Sequence, residues 1–175
     1  MKQKMAFKER VLYLTRAAII AALYFTLTVI SGMLGLDGKA LIQVRLSEAL
    51  CVLPVFTGAA VPGVTLGCFL YNLILGSPID AVFGTLATLI GVLATRLLPM
   101  FKNNIYLASI PTVLANSAII PFVVAFAYMD GGIAAVPLLV LTVAIGEIIS
   151  CSLLGTLLLL ALKKHRYAIF GKDGI

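Results

Sequence analysis

Tryptophan is absent from this chain, histidine occurs once, and only 11% of the residues carry charge. The single histidine, His165, stands among Lys163, Lys164 and Arg166. It is remote in sequence from every acid but Asp173, which argues against a Ser-His hydrolase or a His-ligated metal enzyme. Cys51, Cys68 and Cys151 all fall in apolar stretches without metal-ligand spacing. They read as small core residues, not as a disulfide framework or a zinc site. No Gly-x-x-x-x-Gly-Lys-Ser/Thr loop occurs, so the P-loop route to ATP hydrolysis is closed to this chain. No metal, no cofactor and no catalytic role is expected. A net charge of +6 would suit nucleic acid, but the bases flank apolar runs and do not form one patch. They read as topology determinants, and nucleic acid is not expected as a partner.

What the chain has in abundance is apolar length. It is 62% hydrophobic, with a mean hydropathy of +1.13, so the class is all-α membrane protein, read as a single domain over 1–175. Stretches 11–31, 78–98, 105–128 and 136–162 are each long enough to cross a ~30 Å hydrocarbon core at ~1.5 Å per residue. Region 46–76 is too long for one span and short for two. Gly58, Pro62 and Gly63 break it in the middle, which predicts two short helices. Six spans then place both termini on one side. That side carries Lys2, Lys4, Lys8, Arg10, Arg16, Arg96, Lys102, Lys163, Lys164, Arg166 and Lys172, against Lys39 and Arg45 opposite. The positive-inside rule makes the basic side cytoplasmic. The basic N-terminal stretch is too long for a signal h-region and is expected to be retained.

Polar residues are rare enough to be informative. Segment Leu41-Ile-Gln-Val-Arg-Leu-Ser-Glu-Ala-Leu50 brings Gln43, Arg45, Ser47 and Glu48 to the mouth of the bundle. A charged residue at a helix centre costs about 2.5–3.5 kcal/mol even on the gentler insertion scale. Glu147 lies eleven residues past Val136, about 16 Å down its helix and near the bilayer midplane. Asn116 falls at similar depth. Asn72 and Asp80 flank an outer turn, and Asp37 and Asp130 also lie near the outer face. A buried acid with no base on its own helix is either neutral or bound to something rich in donors. Gly146 is expected to leave room for a ligand beside Glu147. Asp80, Gly84, Thr88, Gly91 and Thr95 form one small or polar stripe that packs closely or lines a cavity. The plainer readings are an Arg45–Glu48 pair at i, i+3, asparagines as interhelical glue worth ~0.6 kcal/mol, and Asp80 as an acid favoured by the helix dipole. Ala17/Ala21 and Ala18/Ala22 make two small-x-x-x-small pairs, suited to docking another helix or to packing within the bundle.

Together, Ile42-Gln-Val-Arg-Leu-Ser-Glu-Ala-Leu, the Gly67-to-Asn72 stretch, Asp80-Ala-Val-Phe-Gly-Thr-Leu-Ala-Thr-Leu89, Asn116 and Gly146-Glu147 resemble the substrate-binding (S) components of energy-coupling factor (ECF) transporters. Within those, the chain resembles the queuosine-precursor family, QueT. The resemblance implies a six-helix bundle in a bacterial cell membrane with both termini cytoplasmic and a pocket near the outer face. It implies docking through Ala17, Ala18, Ala21 and Ala22 to a transmembrane T component, with two ATPase subunits supplying energy. The implied solute is a queuosine precursor or related deazaguanine. Gln43, Arg45, Glu48, Asn72, Asp80, Asn116 and Glu147 would bind it, with Phe69, Tyr71 and Phe83 as stacking candidates. A deazaguanine has a donor edge that a carboxylate satisfies with two hydrogen bonds.

Two other classes remain open on the residues alone. A proton-coupled secondary carrier for a small polar or cationic solute would use Glu147 as a relay. A structural protein would use the polar residues as glue.

Overall fold

A computed structural model describes residues 7–36, 42–128 and 132–171. Lys39, Asp37 and Asp130, which the sequence assigns to the outer face, lie outside the described residues, as do the basic residues at either extreme of the chain. All the regular elements among the described residues are helical. Helix α1 is Phe7–Met33. A 3-10 segment, Leu46–Val55, follows, then α2 (Ala60–Ile74), α3 (Pro78–Leu97) and the single turn α4 (Pro99–Lys102). Helix α5 (Ile110–Val123) runs into a π turn at Val124–Tyr128. Helix α6 (Gly132–Glu147), a π stretch at Ile148–Leu154 and α7 (Gly155–Lys163) form one continuous rod. The short α8 (Arg166–Phe170) ends the described chain.

Among the described residues, four helices are long and apolar enough to cross a membrane: Phe7–Met33, Pro78–Leu97, Ile110–Ala127 and Gly132–Lys163. They coincide with the four long runs read from the sequence. The region 46–76 does divide into two short apolar helices, and the two are not alike. Every residue from Ser47 to Thr57 is buried, so the 3-10 segment is a central post surrounded by the other helices. Its rise of ~2.0 Å per residue carries ten residues about 20 Å, where an α-helix would reach only about 15 Å. A long 3-10 run is uncommon in isolation, and packing on every side sustains this one.

Glycines set the close approaches. A Cβ on Gly63 would lie 2.7 Å from the Ala17 carbonyl oxygen, and one on Gly67 would lie 2.7 Å from that of Ala21. Gly63-x-x-x-Gly67 therefore seats α2 directly on α1, where small residues let two backbones meet. This corrects the docking expectation for half of the alanine motif. Ala21 is 5% exposed and Ala17 half-buried, both turned toward α2, whereas Ala18 and Ala22 are exposed. The α3 stripe is buried as expected at Gly84, Thr88, Gly91 and Thr95, with Asp80 half-buried at its end.

One end of the bundle gathers the start of α1 and the short α8. Tyr13 Oη donates to the Gly58 carbonyl oxygen at 3.1 Å, and Arg96 Nη1 donates to the Pro54 carbonyl oxygen at 3.1 Å. Phe170 of α8 is buried against Phe56, with ring centroids 5.9 Å apart.

Candidate substrate-binding site

At the other end of the post, the chain enters as an extended strap, residues 42–45, before the 3-10 segment begins. Three contacts hold it. Val44 N donates to Leu36 O at 2.9 Å, Arg45 N to Ser150 Oγ at 3.1 Å, and Leu46 N to Ser31 Oγ at 2.9 Å. The strap presses on α6 at Gly146, where an added Cβ would overlap the Gln43 carbonyl oxygen. The room at Gly146 therefore belongs to the backbone of Gln43 and not to a ligand, which corrects the sequence reading. The consequence for the site is favourable: the strap brings Gln43 and Arg45 beside Glu147.

Glu48 opens the 3-10 segment and is 3% exposed. Tyr24 Oη donates to its Oε1, and Cys51 Sγ to its Oε2 at 3.0 Å. Thr28 Oγ1 donates to the neighbouring Ser47 Oγ at 2.7 Å. Both carboxylate oxygens of Glu48 thus have internal donors, which locks the post to α1. Tyr24, Thr28 and Ser31 were not singled out from the sequence. Their spacing of i, i+4, i+7 on α1 is the signal that could have found them, a polar stripe inside an apolar span.

Glu147 is built differently. It closes α6 just before the π stretch, and its Oε1 accepts from Asn116 Nδ2 of α5 at 2.8 Å. Its Oε2 is inaccessible to solvent and has no hydrogen-bond partner among the described residues. The fields of Glu48 and Arg45 both reach Glu147, and Arg45 also acts on Cys68 and Tyr24. Glu147, Asn116, Arg45 and Glu48 therefore form one cluster, drawn from α5, α6, the strap and the post. A π turn commonly marks a functional position in a helix, and here one follows the acid directly. The cluster offers a carboxylate oxygen with an unfilled acceptor site in the field of a guanidinium, an arrangement suited to a ligand with both donor and acceptor edges.

Asn72 and Asp80 form a second pair at the α2–α3 turn. Asn72 Nδ2 donates to the Asp80 carbonyl oxygen at 3.2 Å and to Cys68 Sγ at 3.4 Å. Asp80 sits in the first turn of α3, where Ser77 Oγ accepts from its backbone N–H and donates to its Oδ2, both at 3.2 Å. Both residues act as local fasteners. Phe83 is 45% exposed, on the outward stripe with Ile79, Val82, Leu86 and Ile90. Its expected stacking role is corrected, because the helical period turns it away from the buried face of Gly84 and Thr88. Phe69 is also exposed. Tyr71 meets Phe25 edge to face, with centroids 6.0 Å apart.

With this geometry in place, comparison with known families is decisive. The family model described as QueT transporter matches residues 14–164. The chain belongs to the QueT transporter family. No curated protein and no solved structure matched it. The QueT match takes in Tyr24, the strap, the post, Asn116 and Glu147, so the polar cluster lies wholly within the family's span. Family membership and the four apolar spans make this a membrane transport protein.

Proposed function

We propose that the chain is the substrate-binding subunit of an ATP-driven importer of the ECF type and captures a queuosine precursor or related deazaguanine from outside a bacterial cell. One observation carries the reading. Glu147 Oε2 is buried with no donor among the described residues, in the field of Arg45, and its other oxygen is braced by Asn116. A carboxylate oxygen left bare in a membrane interior is costly, and a solute bringing N–H groups relieves that cost. The donor edge of a deazaguanine meets Glu147, while Arg45 faces the acceptor edge. Glu48 holds the post in place and contributes through its field.

In this reading the chain crosses the membrane with both termini cytoplasmic. The basic end that gathers Arg16, Arg96 and α8 faces the cytoplasm, and the strap faces outward. Ala18 and Ala22, the exposed half of the alanine motif, contact a transmembrane T component, and two ATPase subunits supply the energy. The test is mass spectrometry of small molecules retained by the protein purified from cells supplied with a deazaguanine. Recovery of the deazaguanine at about one per chain supports the reading. Recovery of an unrelated solute class at that level overturns it.

A further inference from the structure

A second place in the molecule asks for a ligand, on the lipid-facing surface at the basic end. An open groove of about 480 Å³ runs between α1, α2 and α3, lined by Val61, Pro62, Leu66, Phe69 and Leu89 with Tyr13, Thr65 and Thr85. From Val61 to Phe69 it follows α2 for about 12 Å at the helical rise. Leu66 and Phe69 are exposed. The hydroxyls of Tyr13 and Thr65 are engaged with the carbonyl oxygens of Gly58 and Val61. Thr85 Oγ1 is buried and has no hydrogen-bond partner among the described residues.

Arg96 lies at the Tyr13 end. The missing side chain of Gly58 makes room there: a Cβ on it would be 3.6 Å from Arg96 Nε and Nη2 and 3.7 Å from the Tyr13 ring. Arg96 is half-buried, and its one described hydrogen bond goes to the Pro54 carbonyl oxygen. No described carboxylate pairs with it. A guanidinium has five donors in a fork that suits phosphate oxygens, and a partly buried charge calls for a counter-charge.

We propose that Arg96 and this groove together bind one anionic phospholipid, with its phosphate on Arg96 and an acyl chain along α2. A lipid supplies both things the surface lacks, an anion at one end and a flexible apolar chain leading away from it. A partner helix would fill the groove but bring no anion to its end. The basic end also carries Arg10 and Arg16, which favours the anionic headgroups of one leaflet.

The experiment places the purified full chain in nanodiscs of phosphatidylcholine containing phosphatidylglycerol and counts retained lipids by native mass spectrometry. One phosphatidylglycerol per chain is expected, preferred over phosphatidylcholine by about tenfold. Arg96→Gln and Thr65→Phe each lower that retention about fivefold or more while helical content by circular dichroism stays unchanged. Thr65→Phe keeps the test decisive if Arg96→Gln disturbs the fold through Pro54. Equal retention of both lipids, displacement of the bound lipid by inorganic phosphate, a second protein chain crosslinked in the groove, or undiminished retention in both variants overturns the proposal.

Discussion

Replacing Glu147 by Gln probes the polar cluster with almost no change of volume. Asn116 Nδ2 donates to Oε1 of Glu147 at 2.8 Å, so the glutamine carbonyl oxygen takes that position. Its NH2 group then replaces Oε2, the oxygen that has no partner among the described residues. The surface offered to a ligand changes from acceptor to donor, and a deazaguanine N–H meets another N–H. A charge-assisted hydrogen bond is lost and a buried donor on the ligand is left unpaired, a combined cost of about 2–4 kcal/mol. Affinity falls roughly thirty- to a thousand-fold. The Asn116 contact survives, so the fold is expected to hold. Calorimetric titration of the purified variant with a deazaguanine measures the loss, and a melting curve checks the fold. Affinity within threefold of wild type, with the fold intact, would refute the reasoning and make Glu147 a structural residue.

Four further substitutions separate the parts of the account. Gly146→Ala forces the Gln43 backbone away from α6 and should cost about 1–3 kcal/mol of stability, with weakened ligand binding; unchanged melting and binding would mean the strap is not seated there. Tyr24→Phe leaves Glu48 Oε1 without its donor and should destabilise the protein by about 1–3 kcal/mol, read by thermal unfolding. Ala22→Trp, on the exposed face, should lower uptake in cells about tenfold or more while the purified protein still binds ligand. Ala21→Trp should instead unsettle the fold, because Ala21 is buried against Gly67. Equal and mild effects of the two would remove the basis for docking through α1.

Much of the architecture was legible because it follows from two periodicities. Apolar length located the four long spans to within a few residues, and Gly58 marked the division of 46–76, whereas Pro62 and Gly63 lie inside the first turn of α2. Counting depth at the helical rise put Asn116 and Glu147 on one level, and the structure joins them by a hydrogen bond. Other features depend on which side of a helix meets which neighbour, and one strand of sequence does not carry that. Gly146 looked like space for a ligand until the strap was seen to occupy it. Ala17/Ala21 and Ala18/Ala22 have the same spacing, yet Gly63 and Gly67 claim the first pair. Phe83 lies one residue from the buried Gly84, and a single step of ~100° turns it to the exposed side. The 3-10 form of the post was also illegible, because burial on all sides sustains it and local propensity does not. Tyr24 is one of six tyrosines, and its role appears only when Glu48 folds against it.

The most direct test of the central claim is titration of the purified wild-type chain, alone and without ATPase partners, with a 7-deazaguanine base and with guanine as comparison. A bare carboxylate oxygen in the field of Arg45 predicts saturable binding of the deazaguanine at one site per chain, lost on Glu147→Gln. No heat of binding from a folded protein, or guanine and the deazaguanine binding alike and insensitive to Glu147, would contradict it.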